Sequence, residues 1–310
     1  MAPDKKHKIA LVIGSGGIRS VVGIGVYQAL AEAGYTPDLI VGCSAGALFG
    51  AALAEGHGAE AALGKAQKLW TAELTDVTRW SAMPALLLSR FGLFKEDFSF
   101  KDDRKIVKRI NEAFGAQEIE NLPIPLRITT TEATSGKSVV LDQGSLVSAL
   151  RASIAIPFVF PAFKKADQLY IDGVISDPLP VSAAKDAQLV VSVGVVSPMP
   201  RHAKSPARLF NRIFAATTNN LMDAQVQLAV ASGMHLVNVM PHLDRHVGLF
   251  ETAAMPYLVA AGHRAMADRM KEFQSRVGLA QGKFHLYGVG ELASQKIPNP
   301  TSRMVHIAPS

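Results

Sequence analysis

The chain has 310 residues, 48% of them hydrophobic and 19% charged, a balance that describes an ordered globular protein with a substantial core and excludes a disordered one. Thirty-two lysines and arginines against 26 acids give a formal net charge of +6 and a pI near 9.4, which favours encounter with anionic surfaces, phospholipid and nucleic acid alike. The single cysteine, Cys43, excludes an intramolecular disulfide framework and any metal site built on several thiolates, and it leans towards a reducing, cytoplasmic setting.

Lys8 to Ile13 reads as a short buried strand, with no signal-peptide apolar stretch developing ahead of it. Gly14 to Gly17 is a loop, followed by Val22, Val26, Leu30 and Ala33 at helical spacing up to Gly34. A second strand, Asp38 to Val41, enters Gly42-Cys43-Ser44-Ala45-Gly46, and Ala47 to Ala54 is rich in helix formers. Leu39 to Ala54 carries no charge but is shorter than the roughly 20 residues a membrane-spanning helix needs. Ala59 to Phe114 reads as mostly helical, with a less regular apolar section from Trp80 to Phe100. Pro125 to Thr131 and Lys137 to Leu141 are predicted to pair as a hairpin through Ser135-Gly136. Leu169 to Asp172 and Ala187 to Val195 supply two more strands. Ser197 to Arg208, with three prolines, is a surface loop whose cations are either solvated or contact phosphate. A helix over Pro206 to Ser232, a strand over His235 to Met240 and a helix over Glu251 to Arg276 complete the pattern. Strands alternating with helices predict an α/β fold with three α/β/α layers around a mainly parallel central sheet. The expected organisation is a catalytic core over 1–196, a helical extension of the same domain over 197–276, and a tail over 277–310.

Gly-x-Ser-x-Gly arises by chance roughly once in ten chains of this length, so Gly42 to Gly46 gains its weight from placement after an apolar strand and before an alanine-rich helix. That setting makes a nucleophile elbow, in which a tight turn lifts the Ser44 hydroxyl above the sheet and the helix N-terminus adds partial positive charge. The alternative is a purely structural turn. A serine nucleophile also needs a base and an oxyanion site. Gly14-Ser15-Gly16-Gly17 offers unhindered backbone N–H groups for the second, or a phosphate loop. The dinucleotide fingerprint is broken by Arg19, which stands where its third glycine belongs, and no Gly-Lys-Ser/Thr loop exists. For the base, His202, His235, His242, His246 and His263 lie downstream, each read more readily as structural. Asp172 ends a predicted strand, where parallel-sheet enzymes place active residues, although a helix cap is the competing role.

Four blocks in order, Gly14-Ser15-Gly16-Gly17-Ile18-Arg19, Val41-Gly42-Cys43-Ser44-Ala45-Gly46-Ala47, Arg151-Ala152-Ser153 with Ile156-Pro157 and Phe160-Pro161, and Tyr170-Ile171-Asp172-Gly173 with Pro178-Leu179-Pro180, resemble the patatin-like phospholipase family. The resemblance implies a Ser44–Asp172 dyad, oxyanion donors at Gly16 and Gly17, and an Arg19 that helps to hold their loop. It implies hydrolysis of a phospholipid or other fatty-acyl ester through an acyl-enzyme, with no metal or organic cofactor. Met83 to Phe98, an apolar run beside Arg79, Arg90 and Lys95, is either ordinary core or a segment that borders the acyl channel or touches the bilayer. The expected protein is cytoplasmic with peripheral membrane contact. Nucleic-acid binding would rest on net charge alone. Ser15, Ser20 and Val174 depart from the family's usual glycine or alanine, which raises the alternative of a catalytically weak lipid-binding relative.

Overall fold

The computed structural model describes residues 8–71, 103–199, 202, 204–248 and 251–280. Met83 to Phe98 and the tail beyond Ala280 lie outside them.

Five strands make the parallel centre. β1 (Ile9–Ile13) pairs with β2 (Leu39–Cys43) on one side and β7 (Leu189–Val193) on the other. Beyond these lie β3 (Leu126–Glu132), next to β2, and β8 (Leu236–Val239), next to β7, all four ladders parallel. β4 (Ser138–Leu141) forms the expected antiparallel hairpin with β3. β5 (Phe163–Lys165) and β6 (Gln168–Asp172) are antiparallel additions at the β3 edge. Along β1, Leu11 and Ile13 enter one core and Ala10 and Val12 the other, the period-two alternation of a strand covered on both faces.

The thicker layer holds α1 (Val22–Glu32), α2 (Ala45–Ala54), α3 (Gly58–Leu69), α4 (Arg104–Phe114), α5 (Leu146–Ser153) and α7 (Met255–Ala280). The opposite face carries α6 (Pro206–Ala231) and the turn Val181–Ala184, whose Met222, Ala229, Val181 and Ala184 cover Ala10, Val41 and Val190. α1 and α7 touch backbone to backbone: a Cβ on Gly25 would sit 2.8 Å from His263 N, and one on Gly262 2.8 Å from the Val22 carbonyl carbon. The final helix begins four residues later than the sequence pattern suggests and runs to Ala280, the last of the described residues.

β3 has three partners but only two edges. β4 runs against Ile128 to Thr131, overlapping both β2, at Leu126 to Thr129, and β6, at Thr130 to Glu132. β2 and β6 therefore share one edge and meet end to end, Cys43 opposite Thr129 and Asp172 opposite Thr130. This corrects the expectation drawn from parallel-sheet enzymes, because Asp172 arrives on an antiparallel strand.

Candidate active site

At the junction, β2 ends in Ser44, which takes φ 56° and ψ −128°. Positive φ is disfavoured for a residue with a Cβ and persists only where surroundings impose it. Those surroundings are small: a Cβ on Gly46 would sit 2.5 Å from Gly14 O, and one on Gly42 2.7 Å from Ala47 N. Ser44 O accepts the Ala47 N–H at 2.9 Å, while its own N–H donates to Ser153 Oγ at 2.8 Å. The Ser153 hydroxyl, at the end of α5 and fully buried, donates in turn to Thr129 O at 2.8 Å. Arg151 Nε, on the same helix, donates to Asp103 Oδ2 at 2.8 Å and ties α5 to the start of α4.

Ser44 Oγ donates to Asp172 Oδ2 at 2.7 Å, and Val174 N–H donates to Asp172 Oδ1 at 2.8 Å. Asp172 is fully buried, and removal from water pushes its carboxyl up to about 7, against the opposing pull of the Val174 and Ser44 hydrogen bonds. A carboxylate at that value can take a proton near neutrality, which an ordinary aspartate cannot. Val174 acts through its backbone, so its side chain is no obstacle to this contact. Gly173 keeps the junction tight: a Cβ there would lie 2.7 Å from Thr129 O and 3.0 Å from Cys43 Sγ. Burial, followed by the charge of Asp172, drives the Cys43 thiol well above its usual range, which favours the protonated thiol.

The loop after β1 closes over the elbow. Gly14 N–H donates to Val193 O and Ser15 N–H to Pro178 O, and Ser20 Oγ donates to Gly14 O at 2.8 Å. Ser20 thus stitches the loop rather than disturbing it. Gly17 takes φ 60°, a conformation suited to glycine. Arg19, buried, donates from Nε to Gly16 O at 3.2 Å and from Nη2 to Ser197 Oγ at 3.3 Å. Ser15, Gly16, Gly17, Arg19, Ser44 and Val174 line a cavity of about 250 Å³. Ser15 Oγ is the one buried side-chain polar atom without a hydrogen-bond partner among the described residues.

The histidines divide differently. His263 bonds Glu32 across α7 and α1 at 2.7 Å, and His242 lies near Asp244 at 3.9 Å. His246 lines the cavity, yet the Ser44 proton is directed to Asp172. The sequence reading assigned no role to Thr130 and Thr131, fully buried, whose hydroxyls donate to Ile171 O at 2.7 Å and Asp172 O at 2.9 Å. Three buried threonines in succession at the end of a strand are the signal that such partners exist. Among the described residues no cluster of His, Cys, Asp and Glu could hold a metal ion, and no helix is long and apolar enough to cross a membrane.

The sequence model of the patatin-like phospholipases matches residues 11–185, more than half of the chain, a span that includes Ser44, Ser153, Asp172 and the glycine loop after β1. The chain belongs to the patatin-like phospholipase family. An uncharacterised NTE family protein of Mycobacterium tuberculosis is 36% identical over 61% of this chain and 49% of its own length. The mouse patatin-like phospholipase domain-containing protein 6 is 32% identical over 62% of this chain and 14% of its own. The solved structure of VipD from Legionella pneumophila overlaps 86% of this chain and 67% of that one at 15% identity, with a TM-score of 0.44. This patatin-like chain thus spans about half the length of the mycobacterial relatives it matches.

Proposed function

We propose that this patatin-like protein is a serine hydrolase of fatty-acyl esters, with Ser44 as nucleophile and Asp172 as its sole base. The 2.7 Å hydrogen bond from Ser44 Oγ to the desolvated Asp172 carboxylate carries the reading. Ser44 Oγ attacks the ester carbonyl carbon as its proton passes to Asp172, and the Gly16 and Gly17 N–H groups receive the charge that develops on the carbonyl oxygen. Collapse of the tetrahedral species breaks the bond to the alkoxide oxygen, which leaves as the alcohol by taking the proton held on Asp172. Water then attacks the acyl-enzyme, Asp172 accepting its proton and returning it to Ser44 as the fatty acid leaves. Every proton is handled by one carboxyl, and the sequence calls for no metal or organic cofactor.

The substrates in this reading are phospholipids or lysophospholipids met at a membrane surface, and the product is a free fatty acid with a lysophospholipid or a smaller alcohol. Hydrolysis of p-nitrophenyl esters of graded chain length by the wild type, Ser44→Ala and Asp172→Asn tests it. Loss of turnover in both variants, with circular dichroism unchanged, is the expected result. Turnover retained by folded Ser44→Ala would overturn the proposal.

A further inference from the structure

We infer that the first turns of α6 and the loops at the mouth of the Ser44 cavity form a docking surface for an anionic phospholipid bilayer. The inference rests on the reading of that cavity as an acyl-ester site, and it names the face through which the ester would arrive.

The start of α6 has two apolar faces. Asn211, Phe214, Ala215 and Thr218 form a wall of the cavity. Leu209, Phe210 and Ile213 point outward, 43%, 55% and 58% exposed. The two faces are in contact, because the rings of Phe210 and Phe214 stack with centroids 6.1 Å apart. An exposed side chain here is therefore one ring away from the cavity interior.

The neighbouring loops repeat the pattern. Val196 and Met199 flank the wall residues Ser197 and Pro198, Ile175 follows Val174, and Phe158 lies two residues after Ile156. Of the eleven large apolar side chains exposed among the described residues, seven thus fall within two residues of a cavity wall, so the exposed apolar surface gathers at one opening. Ser197 and α6 act as one platform, since Ser197 N donates to Asn219 Oδ1 at 2.8 Å and Asn219 Nδ2 donates to Ser197 O at 2.9 Å.

Charge selects the occupant. From Ala187 to Met222 the sequence holds no aspartate or glutamate, while Arg201, Lys204, Arg208 and Arg212 fall within it. Arg208 and Arg212 alternate with Leu209, Phe210 and Ile213 on the same turns. Apolar side chains that enter the acyl region, fringed by cations that meet lipid phosphates, are the recognition chemistry of an interfacial helix. A second copy of this cationic face would repel the first.

The test uses the full chain carrying Ser44→Ala, so that vesicle binding is read without hydrolysis. It should co-sediment with vesicles of phosphatidylcholine and phosphatidylglycerol, more weakly with phosphatidylcholine alone, and more weakly as salt rises. Leu209→Ser, Phe210→Ser and Ile213→Ser together should reduce binding roughly tenfold or more, and Arg208→Glu with Arg212→Glu should remove the preference for anionic vesicles. With Ser44 intact, the triple variant should keep wild-type turnover of a short soluble ester. Because Cys43 is buried, Ile213→Cys can be labelled alone with an environment-sensitive dye, whose emission should shift blue only when anionic vesicles are added. Unchanged vesicle binding in a folded triple variant would overturn the proposal. So would blue emission in buffer alone, which would mean that the face is already covered in the free protein, or a doubled mass in solution that the triple variant abolishes. A wild type that binds vesicles yet cleaves no ester would instead refute the hydrolase reading and leave the docking surface standing.

Discussion

The Ser153 hydroxyl accepts the backbone N–H of Ser44 and donates to Thr129 O, each at 2.8 Å, at the point where β2 leaves β3 and β6 takes over its edge. Both backbone groups fall where the ladder is interrupted, and Ser153 satisfies them together while holding Ser44 in its positive-φ conformation. Ser153→Ala strands a buried donor and a buried acceptor, which costs about 1–3 kcal/mol for each group left unsatisfied. The expected outcome is a lower Tm and a kcat reduced about tenfold or more with KM little changed. Ser153→Thr, which keeps the hydroxyl, should recover part of kcat; kinetics and thermal denaturation of both variants check this.

The proposed mechanism requires Asp172 to be ionised when it accepts the Ser44 proton, and burial holds its carboxyl at about 7. The kcat/KM of the wild type should therefore rise with pH and level off above about 7, a pH–rate profile being the measurement. Asp172→Asn should lower activity by about a thousandfold or more, leaving no such rise.

The same shift has the opposite consequence for stability. A carboxyl whose folded value is raised from 3.8 to about 7 holds its proton in the native state and loses it in the unfolded one, so stability falls as pH rises between those values. Folded Asp172→Asn should then be more stable than the wild type at pH 8, by up to about 4 kcal/mol, with the difference shrinking towards pH 4. Denaturant titrations at the two pH values test the sign.

Asp177 offers the comparison without the role proposed for Asp172. It is buried, bonded to Gln225 and Ser138, and raised to about 6, with burial the leading cause. Asp177→Asn should stabilise the protein at pH 8 by up to about 3 kcal/mol and alter ester turnover little. A loss of stability at pH 8 would show that the ionised carboxylate is an asset to the fold.

The α1–α7 contact depends on the absence of side chains. Gly262→Ala would drive a methyl into the Val22 backbone and Gly25→Ala one into the α7 backbone, and neither backbone can rotate away. Each should cost about 2–4 kcal/mol as the helices separate, read as a fall in the denaturant midpoint.

Much of this was legible in the sequence because it is written locally. The elbow is fixed by Gly42, Ser44 and Gly46, and the hairpin by Ser135-Gly136, within a few residues of chain. α6 announces itself through a capping Ser205 and Pro206 in its first turn. The three-residue β5 and the eight-residue α5 are too short for periodicity to register, though Ser145, which caps α5 through Ser148 N–H, was a usable sign. The antiparallel entry of β6 was not legible at all. Which edge a strand joins is a tertiary decision, and Leu169 to Asp172 would look the same in either direction. Ser153 was visible as part of a recognisable block, but its task depends on two groups 24 and 109 residues away.

The end-to-end meeting of β2 and β6 also sets when the site can exist. Ser44 is made 128 residues before Asp172, and the strand that delivers the aspartate can dock only on a β3 already in place. A nascent chain that has emerged only as far as α5 carries Ser44 on its elbow without the carboxylate to which its hydroxyl donates. Joining the two is therefore a single long-range step, the docking of β6 on β3, and the hydroxyl–carboxylate contact forms only when that step is complete.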